Sequence, residues 1–148
     1  MRKVDFRVYL ITDRKAAPGG DIVGAVAGAL DGGIRAVQLR EKDLAGRELY
    51  RLADRIRELT ARHGARLLVN DRVDVALAVG ADGVHLGVAS IPASVARRLL
   101  GKESLIGCRT AASLSWSRPT RCADRSPAAT QLPWRVTWRR SQGRSCWS

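Results

Sequence analysis

The chain alternates between two apolar rhythms. Residues 7–12 (RVYLIT) form a short run rich in β-favouring side chains that ends at the polar pair Asp13 and Arg14, and this predicts a strand. Residues 16–20 (AAPGG) read as a loop. Beyond it Ile22, Val23, Val26, Ala27 and Leu30 recur at the 3.6-residue period of a helix, with Asp21 placed to cap its start and Gly32-Gly33 to end it. The alternation then repeats. Residues 34–40 (IRAVQLR) predict a second strand, and residues 45–63 a longer helix with Leu49, Leu52, Ala53, Ile56 and Leu59 on one face and charge on the other, stopped at Gly64. Residues 66–70 (RLLVN) predict a third strand, residues 73–79 a short helix closed by Gly80, and residues 83–86 (GVHL) a fourth strand. Pro92 takes a predicted first helical position ahead of Val95, Ala96, Leu99 and Leu100, with Gly101 as the stop. Residues 104–107 open a fifth strand.

The resulting order, βαβαβαβαβ, has strands too apolar for one wet face. Parallel strands covered by helices read this way, so the fold class is α/β. A Rossmann-like sheet and a (β/α)8 barrel both fit. No Gly-x-Gly-x-x-Gly follows the first strand, which weakens a dinucleotide-binding reading. Polar residues collect instead at the C-terminal ends of the strands, where barrel enzymes build their sites.

Three of those ends carry candidate chemistry. Side chains alternate along a strand, so Gln38, Arg40 and Lys42 are expected to point the same way. One amide and two cations suit a phosphate or diphosphate, Arg as a planar fork and Lys as a point charge. The plainer alternative is a solvated strand end with Arg40 paired to Glu41 or Asp43. After the third strand, Asp71 could help hold Mg²⁺ beside substrate phosphates, and Asn70 could hydrogen-bond a heterocycle; either could equally cap the helix that follows. His85 could contact substrate or fill the interior, and Gly87 could allow a ligand close to the backbone or make a tight turn.

Charge divides the chain of 148 residues. The net charge is +12. Residues 1–107 hold 18 basic and 13 acidic side chains, whereas residues 108–148 hold eight Arg against the single acid Asp124. The second segment also carries all three Cys (Cys108, Cys122, Cys146) and all four Trp, and no Lys, Glu, Ile, Phe, Tyr, Met, His or Asn. The Cys spacing makes no metal set, and an odd count argues against a disulfide framework. Apolar residues make up 45% of the whole, enough for a packed core. No apolar run reaches the roughly 18 residues of a membrane span, and the N-terminus does not read as a secretory signal, so a cytoplasmic protein is expected.

Taken in order, YLITD, VQLREK, NDRVDVALAVGADGVHLG, the Pro-led helix and LIG resemble the N-terminal half of the thiamine-phosphate synthase family, over residues 7–107. The resemblance implies a (β/α)8 TIM barrel of which about the first four to five βα units are present. It implies a transferase of thiamine biosynthesis that joins hydroxymethylpyrimidine diphosphate to a thiazole phosphate and releases pyrophosphate. The pyrimidine diphosphate ionises, the thiazole nitrogen attacks the carbocation, and Mg²⁺ with cationic side chains stabilises the leaving group. By the same resemblance Gln38, Arg40 and Lys42 match the diphosphate-binding strand end, with Arg40 and Lys42 catalytic. Asn70 matches a substrate-binding Asn, and Asp71 a Mg²⁺ ligand.

The chain departs from the family pattern twice. Where relatives carry Gln-x-Asp-x-Pro after HLG, with that Asp a second Mg²⁺ ligand, this chain has Val88-Ala89-Ser90-Ile91-Pro92. Ser90 brings no charge to a hard cation and could as well help cap the next helix. After the fifth strand the family's Ser-x-His and Gly-Pro loop are replaced by Cys108-Arg109-Thr110-Ala111-Ala112. Residues 1–107 are thus expected to be a partial barrel domain. Residues 108–148 are expected to be a disordered, basic tail translated out of frame. Five strands cannot close an eight-strand barrel, so sheet edges and apolar faces are expected to stay exposed unless the chain forms a homo-oligomer, and the 148-residue chain is expected to be truncated and to make little product. Two other readings stand beside the synthase. A thiazole tautomerase or non-catalytic relative is favoured by Ser90, and nucleic-acid binding by the Arg and Trp of the tail. Small molecules rather than nucleic acid or membrane are the expected partners.

Overall fold

Glycine and proline punctuate the chain wherever its apolar rhythm breaks, and the elements of the computed structural model, which describes residues 5–108, fall between them. In chain order they are β1 (Leu10–Ile11), a 3₁₀ turn (Pro18–Gly20), α1 (Ile22–Asp31), β2 (Ala36–Leu39), α2 (Gly46–Arg62), β3 (Arg66–Asn70), α3 (Val73–Ala78), β4 (Gly83–Leu86), α4 (Ala93–Leu100) and β5 (Leu105–Cys108). The Asp21 side chain accepts from the Gly24 amide at 2.9 Å, the cap expected for α1. Two boundaries differ from expectation. β1 keeps only two of the six residues predicted, because it pairs on one side only, with β2. Pro92 is the N-cap of α4 rather than its first helical residue.

All five strands are parallel, in the sequential order β1-β2-β3-β4-β5. A doubly wound sheet reverses its order at a switch point, whereas this one advances one strand at a time as a barrel wall does. Each helix touches the next, α1 to α2 to α3 to α4, which makes one continuous helical layer. Alternate strand residues face it. Val37, Leu39, Leu67, Val69, Val84, Leu86 and Ile106 bury themselves against Val26, Leu30, Leu49, Ala53, Ile56 and Ala96. Fully burying a side chain of this size contributes about 1.5–3 kcal/mol, so this face holds the layers together.

The opposite face carries a smaller buried cluster, Phe6, Tyr9, Ala36, Leu68 and Leu105, with Phe6 and Tyr9 edge to face at 6.1 Å. These five side chains are buried on that face, whereas Leu77, Val88 and Leu99 are exposed elsewhere. β5 lies so close to β4 that a Cβ on Gly83 would sit 1.9 Å from the Leu105 carbonyl oxygen, and only glycine permits that approach.

The N-terminal end of the sheet is tied by charge. Asp82, buried, takes Arg57 at 2.8 Å and Arg66 at 3.2 Å and accepts from the Leu67 amide at 3.0 Å. Arg66 also reaches Asp5 at 3.1 Å. Among the described residues no helix is long and apolar enough to cross a membrane. The out-of-frame reading and the nucleic-acid reading both rest on the tail, which from residue 109 onward lies outside the described residues.

Candidate functional site

The C-terminal ends of β2, β3 and β4 gather most of the residues singled out by pattern. Gln38 sits on β2, 2% exposed. Its Nε2 donates to Asn70 Oδ1 at 2.9 Å, and Asn70 Nδ2 donates in turn to Asp71 Oδ2 at 2.7 Å. The result is a directional row across two strands that ends on a carboxylate. At its other end Gln38 Oε1 is buried without a hydrogen-bond partner. A buried acceptor left open is costly, about 1–3 kcal/mol, so its retention points to a donor that arrives with a ligand.

Asp71 follows β3 with φ of +61°, the only non-glycine at positive φ among the described residues. Its amide donates to the His85 carbonyl at 2.9 Å, which locks that turn to β4. Its Oδ1 accepts from the Gly87 amide at 2.8 Å and from the Ser90 hydroxyl. Burial pushes the Asp71 carboxyl up, but the hydrogen bonds from Ser90 and Gly87, the nearby Lys42 charge and the Asn70 amide outweigh it and hold it below its ordinary value. Neither Asn70 nor Asp71 caps α3, whose N-cap is Arg72 with no side-chain cap bond. Ser90 does not cap α4 either. Arg72 pairs with Asp74 at 2.6 Å.

β2 ends at Leu39, so strand alternation no longer governs Arg40 and Lys42. Lys42 lies over the end of β3 near Asp71. Together with Glu41, Asn70, Asp71 and Arg72 it lines a pocket of about 240 Å³ floored by Leu39, Leu44 and Leu49. Gln38 joins this group through Asn70. Arg40 does not line the pocket; its amide donates to Thr12 Oγ1 at 2.9 Å and its side chain is exposed. The alternative pairing of Arg40 with Glu41 or Asp43 is not made. Glu41 accepts from the Arg14 amide at 3.1 and 3.2 Å, and Asp43 takes Arg14 at 2.8 Å and Lys15 at 3.0 Å. Arg40 thus forms no ion pair among the described residues. His85, half-buried, faces Asn70 in the register of β3 and β4.

Two contacts escaped the sequence reading, although it singled out both residues. Ser90 and the Gly87 amide hold Asp71, yet Ser90 is 19 residues from it and no local pattern joins the two. Among the described residues no group of three or more His, Cys, Asp or Glu could hold a metal ion. The pocket has two carboxylates: Glu41, whose oxygens both accept from the Arg14 amide, and Asp71, whose Oδ2 accepts a single hydrogen bond. That oxygen donor suits Mg²⁺, which takes one or two carboxylates and completes its shell with water and substrate phosphates.

Comparison with known proteins identifies the family. The family model described as thiamine monophosphate synthase matches residues 8–117, past the point at Gly107 where the motif resemblance stops. A protein of Geobacter sulfurreducens named putative thiamine-phosphate synthase is 64% identical over 107 residues, covering 72% of this chain and 50% of that protein. The thiamine-phosphate synthase of Caldanaerobacter subterraneus subsp. tengcongensis is 47% identical over the same shares. Among solved structures, thiamine phosphate pyrophosphorylase from Pyrococcus furiosus superposes with a TM-score of 0.63 at 43% identity, covering 69% of this chain and 48% of that one. The chain spans about half the length of the curated relatives it matches. Its sequential parallel sheet, the polar row at the strand ends and a model match over most of its length lead to one conclusion: this chain belongs to the thiamine monophosphate synthase family.

Proposed function

We propose that the chain carries the pyrimidine-diphosphate side of a thiamine-phosphate synthase site. The observation that supports this best is the row Gln38–Asn70–Asp71 with Lys42 beside it at the ends of β2 and β3. In the proposed reaction the bond between the pyrimidine methylene carbon and the diphosphate oxygen breaks, and its electron pair leaves with pyrophosphate. The ring nitrogen of the thiazole phosphate then forms the new C–N bond, giving thiamine phosphate. Such an ionisation is limited by charge growing on the leaving group, so fixed cations near the diphosphate accelerate it.

The residues divide the work by chemistry. The amides of Gln38 and Asn70 hold the heterocycle; an exocyclic amino group would give the buried Gln38 Oε1 the donor it lacks. Lys42 and Arg40, which has no ion pair among the described residues, bind the diphosphate and balance its charge. Asp71 Oδ2 would hold Mg²⁺ with the bound diphosphate, and the ion when bound supplies further charge neutralisation there.

The test is calorimetric titration of the chain with hydroxymethylpyrimidine diphosphate in the presence of Mg²⁺, followed by addition of thiazole phosphate and measurement of thiamine phosphate. Saturable binding that weakens about tenfold or more in Asn70→Ala, on loss of a buried hydrogen-bonding group, is the expected result. No binding by the folded chain would overturn the reading. Isomerisation of a thiazole carboxylate without diphosphate binding would assign a tautomerase instead.

A further inference from the structure

We propose that Ser90 is a positioning residue, a latch that fixes the Asp71 carboxylate so that Oδ2 alone is presented to a divalent cation accompanying a diphosphate. The inference rests on the diphosphate reading above and concerns a residue that pattern alone marks only as a missing carboxylate.

The geometry carries it. A serine hydroxyl has one proton to give, and here it goes to Asp71 Oδ1. Ser90 Oγ is itself held by the Gly87 amide at 2.7 Å, and the same amide reaches Asp71 Oδ1 at 2.8 Å. Both acceptor directions of Oδ1 are thereby taken. Among the described residues Oδ2 accepts only from Asn70, at 2.7 Å, which leaves it one acceptor direction, and Asp71 lines the pocket. The backbone needs the restraint as well, because a non-glycine at φ of +61° occupies a sparsely populated region at a cost of order 1–3 kcal/mol. The latch is closely packed: a Cβ on Gly87 would lie 3.2 Å from Asp71 Oδ1 and 3.4 Å from Ser90 Oγ, so the carboxylate would have to yield by a few tenths of an ångström.

The consequence is a pocket in which Asp71 offers one oxygen, since both oxygens of Glu41 already accept from the Arg14 amide. One carboxylate oxygen gives little affinity for a free hard cation, which dehydrates reluctantly, whereas a diphosphate supplies the remaining anionic ligands. Cation and diphosphate should therefore bind together and hardly at all apart.

The experiment uses the whole chain, with Mg²⁺ and inorganic pyrophosphate as probes, in calorimetry and in amide hydrogen exchange. Mg²⁺ alone should show no saturation below millimolar concentration, and Mg²⁺ with pyrophosphate should bind at least tenfold tighter than pyrophosphate alone. Ser90→Ala should abolish that tenfold gain while metal-free pyrophosphate binding and the far-ultraviolet circular dichroism stay unchanged; Ser90→Thr, which keeps the hydroxyl, should restore the gain. In the ligand-free chain the Gly87 amide should be protected, and Ser90→Ala should speed its exchange at least tenfold. Unaltered exchange in Ser90→Ala, or an unaltered Mg²⁺ gain, overturns the latch and leaves the diphosphate reading standing. Equal loss of pyrophosphate binding with and without Mg²⁺ overturns it in favour of a general structural role. Absence of any pyrophosphate binding by the unsubstituted chain overturns both.

Discussion

The two ends of the parallel sheet are both charged and use charge differently. At the N-terminal end Asp82 is enclosed by Arg57, Arg66 and a backbone amide, and Asp5 takes the outer side of Arg66. Charges there answer one another within the chain. At the C-terminal end the row from Gln38 to Asp71 stops with an open acceptor at one end and an open carboxylate direction at the other, and Arg40 and Lys42 stand exposed beside it. A satisfied network stabilises, and the proposed function gives the unsatisfied one to a ligand; barrel enzymes divide their ends in this way. Removing a charge from the first end should therefore cost stability, and removing one from the second should cost binding.

The largest effect is expected at the first end. Asp82→Ala takes the acceptor from Arg57 and the Leu67 amide and leaves Arg66 with Asp5 alone. Breaking a buried pair costs about 3–5 kcal/mol, and the partial exposure of both arginines places this one near the lower limit. Urea unfolding followed by circular dichroism measures it. A loss below about 1 kcal/mol would remove the stabilising role assigned to this end.

Next comes Arg40, which has no ion pair among the described residues. Arg40→Ala should weaken binding of Mg²⁺-pyrophosphate by about 10- to 100-fold, the value of a charge-assisted hydrogen bond, while changing stability by less than about 0.5 kcal/mol. Calorimetry and urea unfolding on the same sample separate the two. An Arg40→Ala chain that binds normally would break the contrast between the ends.

Ionic strength gives a smaller and more general test. Exposed cations are screened over about 10 Å at 0.1 M salt and about 3 Å at 1 M, so pyrophosphate affinity should fall steadily with added salt. The free energy of unfolding should change much less, because Asp82 is buried. Parallel slopes in the two titrations would contradict the division.

The smallest effect lies at the helix C-termini, on the same side as Asp82. His63 Nδ1 meets the Leu59 carbonyl at 2.8 Å and Nε2 meets Asp31 at 3.0 Å, so both ring nitrogens donate when the imidazolium forms. The Leu59 carbonyl first, and then Asp31, raise its pKa against the desolvation and the Arg35 charge that lower it. A raised pKa contributes stability in full below the ordinary value, about 6.5, and loses it as pH rises through the raised one. Thermal unfolding should show a slight decline across that interval in the parent chain and none in His63→Ala.

Much of the strand limits and of the helical layer was legible in the sequence, whereas the Asp82 network was not. β3 and β4 have the predicted limits, since Gly64, Gly80 and the polar strand ends interrupt short apolar runs. The stripe Leu49, Ala53 and Ile56 is buried because a 3.6-residue period fixes which side chains share a face. The strand ends were less legible. Alternation grouped Gln38, Arg40 and Lys42, but it holds only inside a strand, and β2 stops at Leu39. Asn70 and Asp71 have the chemistry of caps as well as of ligands, and sequence could not choose between them.

Local periodicity, capping residues and glycine stops determined the order of elements, their parallel character and the helix-facing core, because each depends on residues a few positions apart. The tertiary structure decided what no such neighbourhood contains. It advanced the strands in sequence without reversal. It answered Glu41 and Asp43 with Arg14 and Lys15 rather than Arg40. It also brought Ser90 and Gly87 onto Asp71. Those contacts join residues 16 to 28 positions apart, and only the packing of successive βα units sets their distance.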